Sequence, residues 1–461
     1  MRSVLQLIRN MFSNPKKLVV VLGATGAGKS KLALEIATRC NGEIISVDSM
    51  QVYKGLDIVT NKVTKAEQEM CPHHMIGFLE PKDQFTIVDF QEQTLKIISE
   101  IQGRNKTPIL VGGTNYYVQS ILWDFLLKTE TNSEFSDKNE KERQKMYDLP
   151  NSELYQMLVD VDPKSAEVIH PKNKRKVIRA IEVYNQTGKP QSRLLEEQTQ
   201  QYGGSLGGVL RFPNACVLWV QCDAEVLEER VRKRVDKMVQ RGLLKELKDF
   251  HEEFNKERFV KGMAPDYEHG IFQSIGFKEF HNYLTADESV NEAMKDKMLK
   301  EATEQMKLAT WKYAKYQIKF ISRRIVNRSN TIPVYPLDAT KPELWEEKVL
   351  NPALKVLTTC NVHDFGNIIP EQTLTVAQLL NSNKLDTEGK ILQTCNHCDG
   401  IMVAKHNLES HLQSKRHKHN YGKWKKSLSE TSNILEERQQ QLSSVDSTET
   451  EENFLTKAST T

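Results

Sequence analysis

Lys17-Leu-Val-Val-Val-Leu22 runs directly into Gly23-Ala-Thr-Gly-Ala-Gly-Lys-Ser30, then into Lys31-Leu-Ala-Leu-Glu-Ile-Ala37 and Ile44-Ile-Ser-Val-Asp-Ser-Met-Gln-Val-Tyr53. The octet fits G-x-x-x-x-G-K-S, with a β-branched apolar run before it and helical spacing after it, which is the strand, loop and helix context of a phosphate-binding loop. Gly23, Gly26 and Gly28 let the backbone turn tightly, and the N–H groups of Ala24, Thr25 and Ala27 line the same concavity at the positive end of a helix. Lys29 adds a point charge for the terminal phosphates, and Ser30 is placed to ligate Mg²⁺. The loop does not name its ligand. ATP and any other diphosphate would satisfy the same contacts.

The second strand narrows the choice. Residues 44–48 read as a buried strand ending in Asp48, Ser49, Met50 and Gln51: a carboxylate, a hydroxyl and an amide at the carboxyl edge, where open α/β sheets bind ligands. Asp48-Ser-Met-Gln-Val-Tyr-Lys-Gly-Leu-Asp57, with the P-loop before it, resembles the tRNA dimethylallyltransferases (tRNA isopentenyltransferases). The wording of the octet and of Asp57-Ile-Val-Thr-Asn-Lys62 is similar to the eukaryotic branch. Pro108-Ile-Leu-Val-Gly-Gly-Thr-Asn-Tyr-Tyr117 forms the next strong unit, a buried strand that delivers Thr114 to the same edge. A nucleotide-hydrolysing protein would usually place an acidic residue there. The Gly-Gly-Thr turn instead resembles the transferase family's.

The totals set wide bounds. The chain has 461 residues, 38% hydrophobic and 27% charged, which allows two to four ordinary domains, and no apolar run is long enough to span a bilayer. A net charge of +3 argues neither for nor against RNA, so any affinity must come from local clusters. Seven cysteines, closely paired only at Cys395 and Cys398, suggest no disulfide framework and favour a reducing compartment. Residues 1–16 are basic, lack acidic residues and space their apolar residues as a helix does, as in a short mitochondrial presequence. The family resemblance points to mitochondrion and cytoplasm.

Further along, Thr86 and Asp89 are candidate helix caps, and the adjacent His73 and His74 suit polar packing or the substrate site better than a metal. Residues 126–206 lose the β-branched runs and read as a helical insertion. Within it Lys172, Lys174, Arg175, Lys176 and Arg179 crowd a helix start; alone this reads equally as a solvated face. The resemblance implies that Arg175, Lys176 and Arg179 contact the tRNA anticodon stem-loop, positioning it without reading its sequence. After the buried strand at 215–223, Arg230 and Arg234 share one helix face and suit the clamping of a diphosphate. Thr310-Trp-Lys-Tyr-Ala-Lys-Tyr-Gln-Ile-Lys-Phe320 is a basic, aromatic helix of the kind that lies along RNA, although Trp311 and Tyr316 stand where the family would have basic residues.

Residues 328–390, with Pro333, Pro336, Pro342 and Pro352, read as a linker packed partly on the core, with one helical piece near Leu344 to Leu357. Cys395-x2-Cys398-x12-His411-x5-His417 has the spacing of a C2H2 zinc finger, whose Zn²⁺ would fold a segment too small to fold alone. The surrounding lysines and Arg416 suit RNA binding or nuclear import, and 427–461 has the composition of a disordered tail.

The expected architecture is therefore α/β. A P-loop parallel-sheet core at 17–125 and 207–327 is interrupted by the helical insertion and followed by a linker and, at 391–426, a small C2H2 zinc finger. The resemblance implies a monomeric transferase that moves a dimethylallyl group from dimethylallyl diphosphate to N6 of adenosine 37 in tRNA. It requires Mg²⁺, takes Asp48 as general base assisted by Thr114, and stabilises the leaving diphosphate through the P-loop with Arg230 or Arg234. Ser49, Met50 and Gln51 would then hold the flipped base. A small-molecule kinase and a non-catalytic RNA-binding zinc-finger protein are the rival readings.

Overall fold

The apolar run at the start becomes β1 (Val19–Gly23), buried at every position. In the computed structural model the described residues are 17–125, 142–202, 208–260, 267–327 and 332–359, apart from 144, 268 and 287–288, with short pieces between 392 and 422. By packing, the chain divides into two compact units, residues 1–128 with 195–374 and residues 129–194 with 375–461.

The first unit holds a six-stranded sheet. Its other strands are β2 (Gly42–Ser46), β3 (His73–His74), β4 (Thr107–Val111), β5 (Cys216–Gln221) and β6 (Val334–Asp338). The order is β3, β2, β4, β1, β5, β6, and every neighbouring pair is parallel. All six carboxyl ends therefore lie on one edge. The chain leaves β1 toward one side, through β2, β3 and β4, and returns on the other with β5. The crevice beyond β1 is thus a topological switch point, where ligands of such sheets bind.

The helices that matter for that edge are α1 (Lys29–Arg39), α2 (Ile87–Gly103) and α3 (Asn115–Leu122), then α4 (Asn151–Val161) and α5 (Lys174–Thr187) in the second unit, and α6 (Ala224–Gln240), α7 (Leu243–Val260) and α8 (Glu292–Phe320) in the first. Thr86 and Asp89 both cap α2, each side chain bonding the other's backbone N–H. One core cluster packs α1 on the sheet through Leu32, Ala33, Ile36 and Leu218. A second, rich in phenylalanine, joins Val52, Tyr53 and Leu56 to α6, α7, α8 and residues 271–280. In the second unit α4 and α5 bury Leu154 and Leu158 against Val177, Ile178 and Ile181.

Two expectations are corrected. The second strand ends at Ser46, so Asp48 stands in the turn beyond it rather than at its last position. The segment from residue 328 keeps the expected helical piece packed on the core, with Val349 and Leu350 buried, but also contributes a strand that the linker reading lacked: β6 pairs with β5 from Val217 and Val334 to Gln221 and Asp338. Its prolines mislead because an edge strand leaves one row of N–H groups without a ladder partner, so Pro336 costs β6 no hydrogen bond there. Residues 1–16, 126–141, 360–391 and the tail from 423 lie outside the described residues, and with them the presequence and disorder expectations.

His73 and His74 do serve polar packing. Glu43, the second residue of β2, is buried and accepts from His74 Nε2 at 2.7 Å, Arg104 at 2.8 Å and Lys106 at 2.8 Å. Burial alone would raise its carboxyl pKa, but the hydrogen bonds from Lys106, His74 and Arg104 prevail and hold it at about 2. The charge thus tethers β3 and the end of α2 to the sheet. Glu43→Ala leaves Arg104 and Lys106 without their shared anion, but both are partly exposed and can be re-solvated, so stability is expected to fall by only about 1–2 kcal/mol in urea unfolding at neutral pH. Because the folded pKa is depressed, the wild-type contribution is complete above the ordinary carboxylate range and disappears as pH falls from about 4.5 toward about 2. The deficit of the variant should shrink over that same window.

Candidate active site

The phosphate loop is set by two close approaches. A Cβ at Gly23 would lie 2.6 Å from the Val220 carbonyl oxygen, so only glycine lets β1 leave the sheet beside β5. Gly28 takes the left-handed conformation at φ 104° as the N-cap of α1, and no side chain caps that helix. Its first N–H groups are therefore available to an anion, at the positive end of the helix dipole. Lys29 is buried and turns back to donate to the Ala24 carbonyl at 2.8 Å. Burial, followed by the positive charge of Arg234, pulls its pKa down to about 7, with Asp48 pulling the other way. Ser30 is exposed on the first turn of α1.

Asp48 faces this loop from the end of β2. It accepts from Met50 N at 3.0 Å, and burial raises its pKa against the opposing pull of that N–H, Lys29, Arg234 and Gln51 N–H. Arg234, half-buried on α6, has its own pKa lowered by burial and supported by Asp48. One carboxylate and two cations therefore converge. Arg230, one turn earlier, instead donates to the Thr340 carbonyl at 3.1 Å. The structure thus separates the two arginines that helical spacing could not.

The Gly-Gly-Thr loop completes the edge. A Cβ at Gly112 would sit 2.0 Å from the Val47 carbonyl oxygen, and Thr114 N donates to that same oxygen at 3.0 Å. Thr114 Oγ1 accepts from Ser49 N at 3.0 Å and donates to Ser49 Oγ at 3.3 Å. Asp48 and Thr114 are thereby fixed on neighbouring backbones.

Gln51 departs from expectation. Its Oε1 accepts from Ser46 Oγ at 2.8 Å, and its Nε2 donates to the carbonyls of Thr60 and Asn61 at 3.1 and 3.2 Å. The carboxamide is engaged as a brace for the turn that Lys62 also ties to Gly55 and Asp57. Met50 packs on the phenylalanine-rich cluster, and Ser49, half-buried like Gln51, is held by Thr114.

Sequence reasoning missed Tyr313, Gln317 and Trp345. Tyr313 OH and Gln317 Nε2 both donate to the Gly113 carbonyl, at 3.2 and 3.0 Å. The signal was a glutamine within an apolar helix stripe, obscured by the basic residues around it. Trp311 packs on the core and Tyr316 is exposed, so α8 gives neither position a phosphate-binding charge. Trp345 reaches back to Glu35 at 2.9 Å and lies against Gly28.

In the second unit Arg175 and Lys176 are exposed on the first turn of α5. Arg179 lies 3.6 Å from Glu182, and Lys174 is spent on the carbonyls of Tyr147 and Leu149. Of the metal-binding set, Cys398 and His411 lie outside the described residues, and Cys395 is described by its backbone alone. Residues 392–395 pair antiparallel with 401–404, so Cys398 falls within the connection, and His417 is buried in a helical piece. Among the described residues no cluster of three metal-ligating side chains occurs, nor any helix long and apolar enough to cross a membrane.

A family model described as IPP transferase matches residues 51–324. The mouse protein tRNA dimethylallyltransferase is 42% identical over 406 residues, covering 87% of this chain and 85% of its own length. The human tRNA dimethylallyltransferase is 40% identical over 423 residues, covering 91% and 89%. A solved structure, described as crystallographic snapshots of eukaryotic dimethylallyltransferase acting on tRNA, aligns with a TM-score of 0.73 at 30% identity, over 90% of this chain and 99% of that one. With the family model spanning the edge from Gln51 to α8 and the relatives matching nearly end to end, the chain belongs to the IPP transferase family.

Proposed function

We infer that this protein transfers a dimethylallyl group from dimethylallyl diphosphate to N6 of an adenosine in tRNA, adenosine 37 of the anticodon loop, and releases diphosphate. The observation that carries this reading is the opposition, at one sheet edge, of a cationic phosphate cradle and a half-buried carboxylate, Asp48, whose pKa is raised.

In the transfer, the N6–C bond forms as the allylic C–O bond breaks, and the electron pair of that bond leaves on the diphosphate. The first N–H groups of α1, Lys29 and Arg234 stabilise the charge that accumulates there, whereas Thr25 N–H and Ala27 N–H are already bonded to Gln317 and to the Ala24 carbonyl. Asp48, made more basic by burial, takes the amine proton. Thr114, held beside it, supplies a hydroxyl to the incoming adenine. A stacked base cannot reach this crevice, so the adenosine must flip out of the loop, and Ser49 is the polar group nearest its path.

The exposed hydroxyl of Ser30, adjacent to Lys29, fits one corner of a phosphate-bound Mg²⁺, which would add positive charge against the leaving group. Two cysteines, one falling within a hairpin connection, and two histidines that include one in a helical piece fit a structural Zn²⁺. Arg175 and Lys176 are placed for RNA phosphates, with Arg179 shared between RNA and Glu182. We take the chain to act as a monomer in mitochondrion and cytoplasm, with the basic residues around the finger able to direct a nuclear fraction.

Asp48→Asn is expected to lower kcat by about 10²-fold to 10⁴-fold while tRNA affinity stays within about twofold, measured by label transfer and filter binding. Retained turnover would remove Asp48 from the base role. Arg234→Ala should raise KM for the diphosphate and lower kcat together, whereas Arg230→Ala should change either by only about threefold, its guanidinium being committed to Thr340.

The pH profile follows from Lys29. Its ammonium is needed to capture the diphosphate and is lost as pH rises through about 7 in the free enzyme. Therefore kcat/KM for dimethylallyl diphosphate should fall above that pH, while kcat holds because the bound anion restores the proton. A kcat/KM that stays flat well above that pH would contradict the placement of Lys29.

A further inference from the structure

Gln317 is 1% exposed on α8, and both ends of its carboxamide are used. Oε1 accepts from Thr25 N at 2.8 Å, and Nε2 donates to the Gly113 carbonyl at 3.0 Å. Thr25 belongs to the phosphate loop; Gly113 immediately precedes Thr114. One side chain therefore ties the loop beyond β1 to the loop beyond β4, where the strand ladder no longer connects them.

The geometry leaves little freedom. A Cβ at Gly113 would come 2.4 Å from Gln317 Nε2, so glycine is required for the approach. Tyr313, four residues earlier on the same face of α8, donates to the same carbonyl at 3.2 Å. The Gln317 carbonyl in turn accepts from Asn115 Nδ2 at 3.4 Å, which joins α3 to the same point. Chemically the bridge needs an acceptor at one end and a donor at the other. A carboxamide supplies both without charge; an ionised carboxylate would set oxygen against oxygen at Gly113, and an alkyl chain would leave the Thr25 N–H without its acceptor, while the Gly113 carbonyl would keep the Tyr313 hydroxyl and the Asn115 N–H as donors.

We propose that Gln317 is a positioning residue that sets the separation between the diphosphate cradle and the pair formed by Asp48 and Thr114. The proposal rests on the transferase reading above. Bond formation there requires the allylic carbon, held through its diphosphate, and the amine, held at the base, to meet within contact distance. An error near 1 Å in such a placement costs about 10²-fold in rate.

The test compares wild type with Gln317→Glu, Gln317→Met and Tyr313→Phe, using dimethylallyl diphosphate and unmodified tRNA varied separately. Gln317→Glu and Gln317→Met should lower kcat by about 10-fold to 100-fold and leave the tRNA dissociation constant within about twofold. Tyr313→Phe removes a hydroxyl that bonds Thr114 and Gln317 as well as the Gly113 carbonyl, so it should lose about 3-fold to 10-fold, still less than either Gln317 variant loses at its upper bound. A distinguishing signature belongs to Gln317→Glu. When protonated, its carboxyl again donates to Gly113 while accepting from Thr25, so its kcat relative to wild type should recover as pH falls from about 8 to about 6. A residue that only fills space would give a ratio independent of pH.

Folded Gln317→Glu and Gln317→Met proteins with kcat and both KM values within twofold of wild type would overturn the proposal. Should both variants fail to fold, Gly113→Ala, which displaces Nε2 and keeps the glutamine, decides: normal kcat overturns the proposal and a loss above about tenfold supports it. Absence of transfer by wild type would instead count against the function. The bridge is then judged by amide exchange at Thr25, which Gln317→Met must accelerate relative to its neighbours in β1 if the contact is real.

Discussion

Two cations and one carboxylate share a crevice from which much of the water is excluded, and the remainder of the site can be understood from that constraint. Burial weakens every member: it lowers the pKa of Lys29 and Arg234 and raises that of Asp48. Their mutual attraction offsets only part of this, because two positive charges face one negative. An uncompensated cation in such a partly desolvated site is costly. In the proposed transfer a diphosphate would supply the missing negative charge, and would supply more of it as the allylic bond breaks. The arrangement thus favours the leaving group over the bound ester, which is the requirement for catalysis rather than tight binding.

The fold exists around this crevice in a concrete sense. Parallel pairing of β1 between β4 and β5 brings three loops to one edge, and backbone contacts that tolerate no Cβ at Gly23 and Gly112 bring them within reach of one another. The C-terminal part of the unit contributes as well. After β6 the chain places Trp345 over Gly28 and under the ammonium of Lys31, 4.2 Å from the ring centroid, with its indole N–H on Glu35. A segment far from the motif in sequence therefore packs on the turn where the phosphate loop becomes α1.

Much of this was legible in the chain. The P-loop, the turn carrying Asp48 and the Gly-Gly-Thr loop announce themselves because their chemistry depends on contiguous residues. What was not legible depends on residues distant in sequence meeting in space. Arg230 and Arg234 are equivalent by helical periodicity, and only the docking of α6 against Thr340 on one side and Asp48 on the other tells them apart. Gln51 looked like a ligand group because nothing local reveals that the carbonyls of Thr60 and Asn61 turn back onto it. Proline in β6 imitated a linker since an edge strand tolerates what an inner strand does not. Gln317 was hidden among lysines whose charge drew attention to RNA, while its amide served the interior.

The central claim is that the cradle and the carboxylate act on the two ends of one prenyl transfer. The most direct measurement is to incubate the wild-type protein with unmodified tRNA, Mg²⁺ and dimethylallyl diphosphate, digest the RNA to nucleosides and weigh the adenosine by mass spectrometry. The account predicts a gain of one C5H8 unit on the adenosine next to the anticodon, matched by release of one diphosphate. Unchanged adenosine, with tRNA bound and ATP hydrolysed instead, would contradict it.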